Sequence, residues 1–349
     1  MTTTETILQS IIDPFLGQSI TALGIQTRIE ESGQTLNIHL HAGFPTLPLQ
    51  NSLLPAVQQA FPDKTVNCDM DFFIRAHKTQ LLGKGLRGVK NTIAIASGKG
   101  GVGKSTVTVN LAAALARAGA RVGILDADIY GPSIPLMLGE HQAVQLEGDR
   151  YLPITAHGIQ AMSIGYLTDP DQALIWRGPM LAKSLLQMLD ITLWDELDYL
   201  FIDLPPGTGD IQLSLVQKIP LTAAVVVTTP QNVATLDAQK AIKMFEKTGI
   251  DVLGLVENMS THICGRCGHE EALFGTGGGQ RLSESFHVPL LGQLPLDARI
   301  RSQCDEGTPI ALDDQDLGQH FMKTAMNLAL ALAKKPFNYA NKFPPVVVE

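Results

Sequence analysis

The sequence contains a glycine-rich run whose spacing fits a phosphate-binding loop. Residues 98–105 match the pattern G-x-x-x-x-G-K-[ST]. A strand pattern precedes the run, and a helix pattern from Thr106 to Ala118 follows it, which is the context this motif requires. Glycines let backbone N–H groups converge on one cavity, and the helix N-terminus adds partial positive charge. The run therefore predicts a nucleotide site, and a glycine turn without a ligand is the weaker interpretation.

The residues of this run have separate expected roles toward ATP. Lys104 is placed to reach the outer phosphates, Ser105 to coordinate Mg²⁺ and Thr106 to touch the α-phosphate. The cradle around the phosphates is formed by Gly98, Lys99, Gly100, Gly101, Val102 and Gly103.

Carboxylates end two of the apolar runs that read as strands. Asp126 and Asp128 follow one run, and Asp203 closes another. Ligands of open α/β sheets bind at the carboxyl ends of the strands, so we expect these groups beside the nucleotide. Asp126 and Asp203 would serve a magnesium nucleotide, Asp203 by holding Mg²⁺ through water, and Asp128 would position the attacking water. Gly207 would present its N–H to the γ-phosphate; solvated strand-end aspartates are the alternative.

A second chemical feature is the pair Cys264 and Cys267, separated by two residues just after a predicted strand. This spacing lets both sulfurs face one metal centre. A tetrahedral zinc site needs four ligands, which His262 or His269 would help to complete, whereas a 4Fe-4S cluster takes four thiolates. A redox dithiol and unligated cysteines are further alternatives. Alone, the pair does not decide between them.

Short apolar runs alternate with helix patterns through the region that holds both motifs. Such runs, hydrophobic on both faces, are typical of buried parallel strands covered by helices. The predicted class is α/β, with a mostly parallel sheet flanked by helices as in P-loop NTPases. A helix from Gln315 to Lys335 is expected to pack on the sheet rather than on a membrane. The strand candidates are Thr92 to Ala96, Val122 to Asp126, Tyr199 to Leu204, Ala223 to Thr229, Val252 to Glu257 and Leu290 to Leu294.

The pattern predicts two folded units. Residues 1–77 read as a small α+β domain, residues 78–90 as a linker rich in glycine and basic side chains, and residues 91–349 as the ATPase domain. In the first unit, Cys68 lies on an alternating strand and is expected in the core rather than as a reactive thiol. Cys304 carries no functional hypothesis. The elements predicted for this unit are a helix at Glu5 to Ser10, a hairpin of Ile20 to Glu30 with Thr35 to His41, a helix at Ser52 to Phe61 and a strand at Thr65 to Ile74.

Composition narrows the classes of function. The 349 residues carry a net charge of −8, contain four cysteines and have no apolar run near the roughly 20 residues of a membrane span. The N-terminus lacks the features of a secretion signal, so a cytoplasmic protein without nucleic-acid or membrane partners is expected. So few cysteines form no disulfide framework, and a close pair in a reducing compartment favours metal or redox chemistry.

Lys99, within Lys-Gly-Gly-Val-Gly-Lys-Ser-Thr, resembles the signature lysine of the deviant P-loop ATPases. In that family this lysine crosses a homodimer interface and contacts phosphate bound by the other subunit, which makes it a catalytic residue beside Lys104 and Asp128. A solvated loop lysine is the alternative. The resemblance also implies base contacts from Asn258, Pro295 and Asp297.

Together with Glu257-Asn258-Met259-Ser260, Phe274-Gly275-Thr276-Gly277-Gly278 and Trp176-Arg177-Gly178-Pro179, the cysteine pair resembles that of the Mrp/ApbC iron-sulfur cluster carriers. The likeness runs from about Lys90 to Leu332, and the first 77 residues more weakly resemble a small domain of iron-sulfur assembly factors. It implies an ATPase homodimer in which two cysteine pairs hold one 4Fe-4S cluster, received from donor proteins and passed to apo iron-sulfur proteins.

Three other functions remain open at this point. They are a zinc-stabilised regulatory ATPase, a reductase resembling nitrogenase iron protein, and a positioning or partition ATPase. The net negative charge and the tail with Pro344-Pro345 disfavour a positioning or partition ATPase.

Overall fold

The computed structural model describes residues 3–81, 83–167, 178–264, 266–313 and 315–338. The predicted Trp176-Arg177 motif and the Pro344-Pro345 tail lie outside these ranges. The N-terminal region contains α1 (Thr3–Ser10), β1 (Gln26–Ser32), β2 (Thr35–Ala42), α2 (Leu47–Gln59) and β3 (Thr65–Phe72).

The predicted N-terminal hairpin is present, and a third strand extends it. β1 and β2 are antiparallel, and β3 adds to β2 in parallel register. The first strand begins at Gln26 rather than Ile20, because the residues before it form turns at Gly17 and Gly24, both with positive φ. The helix α2 begins earlier than predicted, at Leu47, since Pro48 suits a first helical turn. Its buried side chains pack with the inner face of the three-stranded sheet.

The second region holds the remaining elements. The strands are β4 (Thr92–Ser97), β5 (Val122–Asp126), β6 (Leu146–Glu147), β7 (Arg150–Tyr151), β8 (Ile154–Ala156), β9 (Ile159–Ser163), β10 (Tyr199–Asp203), β11 (Ala223–Thr228), β12 (Val252–Glu257), β13 (His262–Ile263), β14 (Glu270–Glu271) and β15 (Leu290–Gln293). The helices are α3 (Lys104–Arg117), α4 (Ile134–Leu138), α5 (Gly178–Ile191), α6 (Asp210–Lys218), α7 (Asn232–Lys247), α8 (Gly278–Phe286), α9 (Ala298–Asp305) and α10 (Asp316–Ala333).

Among the described residues, eight of these strands form one sheet in the order β15-β12-β11-β4-β10-β5-β9-β8. Every neighbouring pair is parallel except β8 with β9 at one edge. All six predicted strands are present, each within two residues of its expected bounds. The predicted class, a mostly parallel sheet flanked by helices, is confirmed.

The sheet is buried on both faces, which explains why its strands read as continuous apolar runs. Alternate residues of β4 enter different core clusters: Ile93 and Ile95 pack with α3 and α10, whereas Ala94 and Ala96 pack with α5, α6 and α7. The helix α10 therefore lies on the sheet, as predicted. None of the described helices is both long and apolar enough to span a bilayer.

The segment predicted as a linker is bound to the second region. Gln80 donates its side-chain amide to the carbonyl oxygens of Val216 and Ile219 and accepts from the N–H of Leu221. At its far end, Lys90 pairs with Asp198 at 2.7 Å. Low periodicity therefore reflects irregular backbone that is hydrogen-bonded in place, and the domain boundaries themselves remain a prediction.

Close packing between β15 and α10 gives a first testable prediction. A Cβ added at Gly292 would lie 2.0 Å from Oγ1 and 2.9 Å from Cβ of Thr324. Gly292→Ala should lower the free energy of unfolding by about 1–3 kcal/mol, because overpacking forces the helix outward. Urea unfolding measures the change.

The matched control is Gly85→Ala, since nothing lies within 4 Å of a Cβ built there. Adding Thr324→Ala to the Gly292→Ala chain should recover part of the loss, because it removes Oγ1 and Cγ2 while Cβ of residue 324 stays. Equal stabilities for Gly292→Ala and Gly85→Ala would contradict the close contact.

Candidate nucleotide and thiolate site

The phosphate-binding loop joins β4 to α3 at the carboxyl edge of the sheet. Its glycines at 101 and 103 have φ of 80° and 79°, a left-handed backbone that glycine adopts at low cost. A Cβ on Gly103 would lie 2.3 Å from Nδ2 of Asn258. That amide donates to the carbonyl oxygen of Val102 at 2.9 Å. Asn258, predicted as a base contact, therefore also fixes the loop, a role that sequence analysis missed.

Asp203 is the centre of a buried polar network under the loop. Its Oδ2 accepts from Nζ of Lys104 at 2.7 Å and from Oγ of Ser105 at 2.6 Å. Its Oδ1 accepts from Oγ1 of Thr108 at 2.6 Å. Asp203 is fully buried and Lys104 is 6% exposed, so a solvated strand-end aspartate is excluded here. Thr108 was not predicted, although its position one helical turn beyond Lys104 was the available signal.

Asp126 lies opposite Asp203 in the register of β5 and β10 and is also fully buried. It accepts from Oγ of Ser163 at 3.1 Å and from the N–H groups of Asp128 and Ile134. Burial raises the pKa of Asp126 to about 7, and the nearby charge of Asp203 adds to the increase. Two carboxyl groups thus share one edge, where a divalent cation would relieve their repulsion.

Asp128 lies at the half-buried rim of this group. Burial raises its pKa, while the charge of Lys104 acts in the opposite direction. With Ser105, Asp126 and Asp203, the site offers the hard oxygen ligands that Mg²⁺ takes beside phosphates. The residues present therefore fit a magnesium nucleotide.

Two predicted phosphate contacts have other partners in this conformation. The N–H of Gly207 donates to the carbonyl oxygen of Ser97 at 3.0 Å, so a γ-phosphate would have to replace that bond. The backbone oxygen of Lys99 accepts from Oγ of Ser97, which holds the loop but leaves the side chain uncommitted. Within the described ranges, Lys99 is half-buried and forms no ion pair.

The predicted base loop is stabilised by an internal ion pair. Asp297 accepts from the N–H of Arg299 as the N-cap of α9, and its Oδ2 lies 2.7 Å from the Arg299 guanidinium. The hydrogen bond from Arg299 lowers the pKa of Asp297. Pro295 lies between Leu294 and Leu296, whose backbone groups bond to the segment after β12. The base contacts of Pro295 and Asp297 stay predictions.

The cysteine pair lies in the turn of a small hairpin formed by β13 and β14. The N–H of Cys264 donates to the carbonyl oxygen of His269, and the N–H of Gly268 donates back to Cys264 at 2.9 Å. Cys264 is half-buried and Cys267 is exposed. The backbone N–H groups of Arg266 and Cys267 lower the pKa of Cys264, which favours the thiolate that metals bind.

The surroundings of the cysteine pair argue against a zinc site in one chain and against a thioredoxin-like dithiol. Nδ1 of His262 lies 3.0 Å from the carbonyl oxygen of Leu296. Across the described ranges, no third histidine, cysteine or carboxylate is close enough to both sulfurs to share one ion. Within these ranges, a zinc site built from one chain therefore lacks ligands. The pair also sits at a hairpin turn rather than at a helix start, where a thioredoxin-like dithiol would lie.

A short backbone path joins the two sites. Asn258 directly follows β12 beside the phosphate-binding loop, and Met259 comes next with φ of 57°. Ser260 then donates to the carbonyl oxygen of Leu294, and Thr261 accepts from the N–H of Leu296. The segment that fixes the phosphate-binding loop thus runs alongside the predicted base loop, hydrogen-bonded to it, into the cysteine hairpin.

The two remaining cysteines have different surroundings. Cys68 packs, half-buried, against the N-terminal core, and burial raises its pKa to about 11, as expected of a core thiol. Cys304 is buried and accepts from Nδ2 of Asn110 at 3.5 Å.

Comparison with known proteins identifies relatives along most of the chain. Residues 88–334 match a family model described as NUBPL iron-transfer P-loop NTPase. The iron-sulfur cluster carrier protein of Haemophilus influenzae is 48% identical over 337 residues, which cover 94% of this chain and 91% of that protein. The protein of the same name from Escherichia coli K12 is 50% identical over 307 residues, with 86% and 83% covered.

Solved structures agree on the fold. A nucleotide-binding protein from Archaeoglobus fulgidus, in complex with ADP and with Co found, is 40% identical with a TM-score of 0.57, covering 63% of this chain and 87% of that one. The cell division ATPase MinD of Pyrococcus furiosus is 24% identical with a TM-score of 0.50, covering 68% and 98%. The second likeness concerns the fold alone and agrees with the predicted P-loop architecture.

The buried network around Asp203 predicts the effect of removing the ammonium group of Lys104. Lys104→Ala should lower the affinity for ADP at least tenfold, because a charge-assisted contact to phosphate is lost. It should also lower the free energy of unfolding by about 3 kcal/mol or more, since the Asp203 carboxylate stays buried without its partner. Titration calorimetry and urea unfolding give the two values.

Lys240→Ala is the matched control, because its ion pair with Asp237 is exposed at the surface. It should change the free energies of ADP binding and of unfolding by no more than about 1 kcal/mol, the value typical of exposed ion pairs. Unchanged ADP affinity in Lys104→Ala would argue against the assignment of the loop.

Proposed function

This chain belongs to the iron-transfer P-loop NTPases of the NUBPL type, the family of the iron-sulfur cluster carriers, and we propose that it works as an ATP-hydrolysing homodimer that holds a 4Fe-4S cluster between its subunits. The cluster is cargo: donor proteins supply it, and apo iron-sulfur proteins receive it. The sequence-based prediction of a cluster carrier is confirmed by the family.

The observation that carries the proposal is the ligand deficit at the cysteine hairpin. Cys264 and Cys267 supply two sulfurs, whereas a 4Fe-4S cluster takes four thiolates. In the described part of the same chain, no third ligand atom lies within 4.8 Å of both sulfurs. A second copy related by a two-fold axis supplies the missing pair, because a symmetric interface brings identical loops together.

Exposure of the pair suits a carrier. An acceptor thiolate can approach the cluster through solvent and replace one carrier thiolate at a time, so that the number of sulfur ligands is kept through the exchange. The backbone N–H groups that lower the pKa of Cys264 favour the thiolate form that binds iron.

ATP hydrolysis is assigned to the loop and to the acidic edge of the sheet. Lys104 and Ser105 meet Asp203 at the place where phosphate and Mg²⁺ bind in such loops. Mg²⁺, when bound, neutralises charge on the phosphates, with Ser105 and the neighbouring carboxylates holding it. Asp128, at the half-buried rim, orients the attacking water.

Lys99 supplies the link between hydrolysis and assembly. Its ammonium group forms no ion pair within the described part of its own chain, while its backbone is fixed by Ser97. In the homodimer it contacts the phosphate bound by the partner subunit, so that each active site is complete only across the interface. The path from Asn258 to Cys264 then carries the nucleotide state to the cluster.

Cluster binding should depend on both cysteines of the hairpin. After anaerobic reconstitution with iron and sulfide, Cys264→Ser and Cys267→Ser should each lose the visible absorption of the cluster and retain ADP binding. The intact protein should hold about four iron atoms per dimer.

Cys68→Ser is the control, because it removes a thiol of the N-terminal core. A cluster that persists without Cys264 and Cys267, or a tightly held zinc atom in each chain isolated without air, would refute the shared site. Cluster retention through repeated electron transfer, without delivery to an apoprotein, would instead indicate a reductase.

Lys99→Ala should abolish ATP hydrolysis while ATP binding falls by less than about tenfold, because the lysine acts on the partner's nucleotide. Lys99→Ala and Lys104→Ala chains should each be inactive alone. Mixed dimers should regain activity, since the intact loop of the first chain meets the intact Lys99 of the second.

The mixing experiment is read by the rate of phosphate release against the ratio of the two chains. No gain on mixing, when subunit exchange is demonstrated by labelled chains, would contradict a role across the interface. Equal loss of ATP binding and ATP hydrolysis in Lys99→Ala would also contradict that role.

A further inference from the structure

The outward face of the N-terminal sheet carries a ladder of histidine and carboxylate side chains. In β2 and β3, alternate residues point away from the core. Because the two strands are parallel and in register, His39 lies opposite Asp69 and His41 lies opposite Asp71. The inward neighbours Ile38 and Leu40 are buried, so the polar ladder occupies one face of the sheet only.

Three of these groups converge on one point. Oδ1 of Asp71 lies 2.5 Å from Nδ1 of His41 and 3.5 Å from Nε2 of His39. One ligand atom from each of the three residues lies within 4.8 Å of the other two. Simple cross-strand pairing would give each histidine one carboxylate, but here both rings reach the same Asp71 oxygen.

Asp69 determines how the His39 ring is oriented. Its Oδ2 lies 2.7 Å from Nδ1 of His39 and so orients the ring with Nε2 toward Asp71. Histidines that bind metals are commonly held in this way by a carboxylate on the other ring nitrogen. The ladder thus contains both a set of ligands and the group that orients one of them.

We propose that His39, His41 and Asp71 bind a divalent transition-metal cation of the Zn²⁺ or Fe²⁺ type, with Asp69 as a positioning residue. Two imidazoles and one carboxylate suit these borderline cations better than Mg²⁺ or Ca²⁺, which prefer oxygen ligands. The cation takes the place of the hydrogen bond between Nδ1 of His41 and Oδ1 of Asp71, and the hydrogen of that bond passes to solvent.

The local charge is compatible with a cation. Arg28 of β1 lies opposite His39 on the same face, and its guanidinium is paired with Glu30 at 2.8 Å. Glu30 therefore offsets the charge of Arg28, and the carboxylates of Asp69 and Asp71 leave this face net negative. Surface ion pairs alone contribute only about 0–1 kcal/mol, so ion pairing gives little reason for two histidines to converge on one carboxylate.

The site is open rather than sealed. The side chains of His39 and His41 are 39% and 33% exposed. Three protein ligands leave coordination positions for water or for a ligand atom of another molecule, which is the arrangement of exchangeable metal sites. Its nitrogen and oxygen ligands differ from the sulfur ligands at Cys264 and Cys267, so the two metal chemistries are separable.

The test uses the full chain with Cys264→Ser and Cys267→Ser, so that thiolates do not compete. Titration with Co²⁺, followed by its visible absorption and then by competition with Zn²⁺, should show one site per chain without thiolate charge-transfer bands. His39→Ala and His41→Ala should each weaken binding at least tenfold. Asp69→Asn should weaken it by about 10- to 100-fold, as for other groups that orient metal-bound histidines.

His141→Ala, which removes an exposed histidine elsewhere, is the control and should leave the affinity unchanged. Circular dichroism and urea unfolding are used to check that each variant is folded. Absence of stoichiometric binding in the folded chain, or equal affinity in the His39→Ala, His41→Ala and His141→Ala chains, would overturn the proposal. Cluster loading at Cys264 and Cys267 is measured separately, so failure of either site is distinguishable from failure of the other.

Discussion

The structure of the nucleotide site depends on one buried carboxylate. Asp203 has no contact with solvent, yet it is satisfied by Lys104, Ser105 and Thr108, all from the same helix start. An unpartnered charge at this depth would be strongly unfavourable, so the loop and the strand end must be held in register. Lys104 and Ser105 are also the groups that contact phosphate and Mg²⁺ in loops of this kind, so the carboxylate that fixes the loop holds the ligand-binding groups together.

Much of the fold was predictable because burial is visible in the sequence. The central strands are covered on both faces, and continuous apolar runs marked them to within two residues. The hairpin at Gln26 and Thr35 was found from alternation, but its start was misplaced because Ile20, Leu23 and Ile25 are buried from turns rather than from a strand. Apolar content alone does not distinguish these two environments.

The functional residues were predictable where they are neighbours in the sequence, and they were not predictable where their proximity depends on strand register. The loop and the cysteine pair are short motifs, so spacing identified them. Thr108 under Asp203 and the bond from Asn258 to Val102 join residues distant in sequence. The ladder of His39 with Asp69 depends on which strands pair and in which alignment, and no local pattern specifies that β3 adds to β2 in parallel. Such groups become a candidate site only when the strands are aligned.

The side chain of Asn258 has one further consequence, for the choice of base. One N–H of its amide is donated to Val102, so the second N–H and the carbonyl oxygen are left for the predicted contact with a purine. This donor and acceptor match the ring nitrogen and exocyclic amine of adenine, whereas guanine presents two acceptors at the same edge. The contact that keeps the loop in shape would thus also select between nucleotides, because it fixes the orientation of the amide toward the ligand.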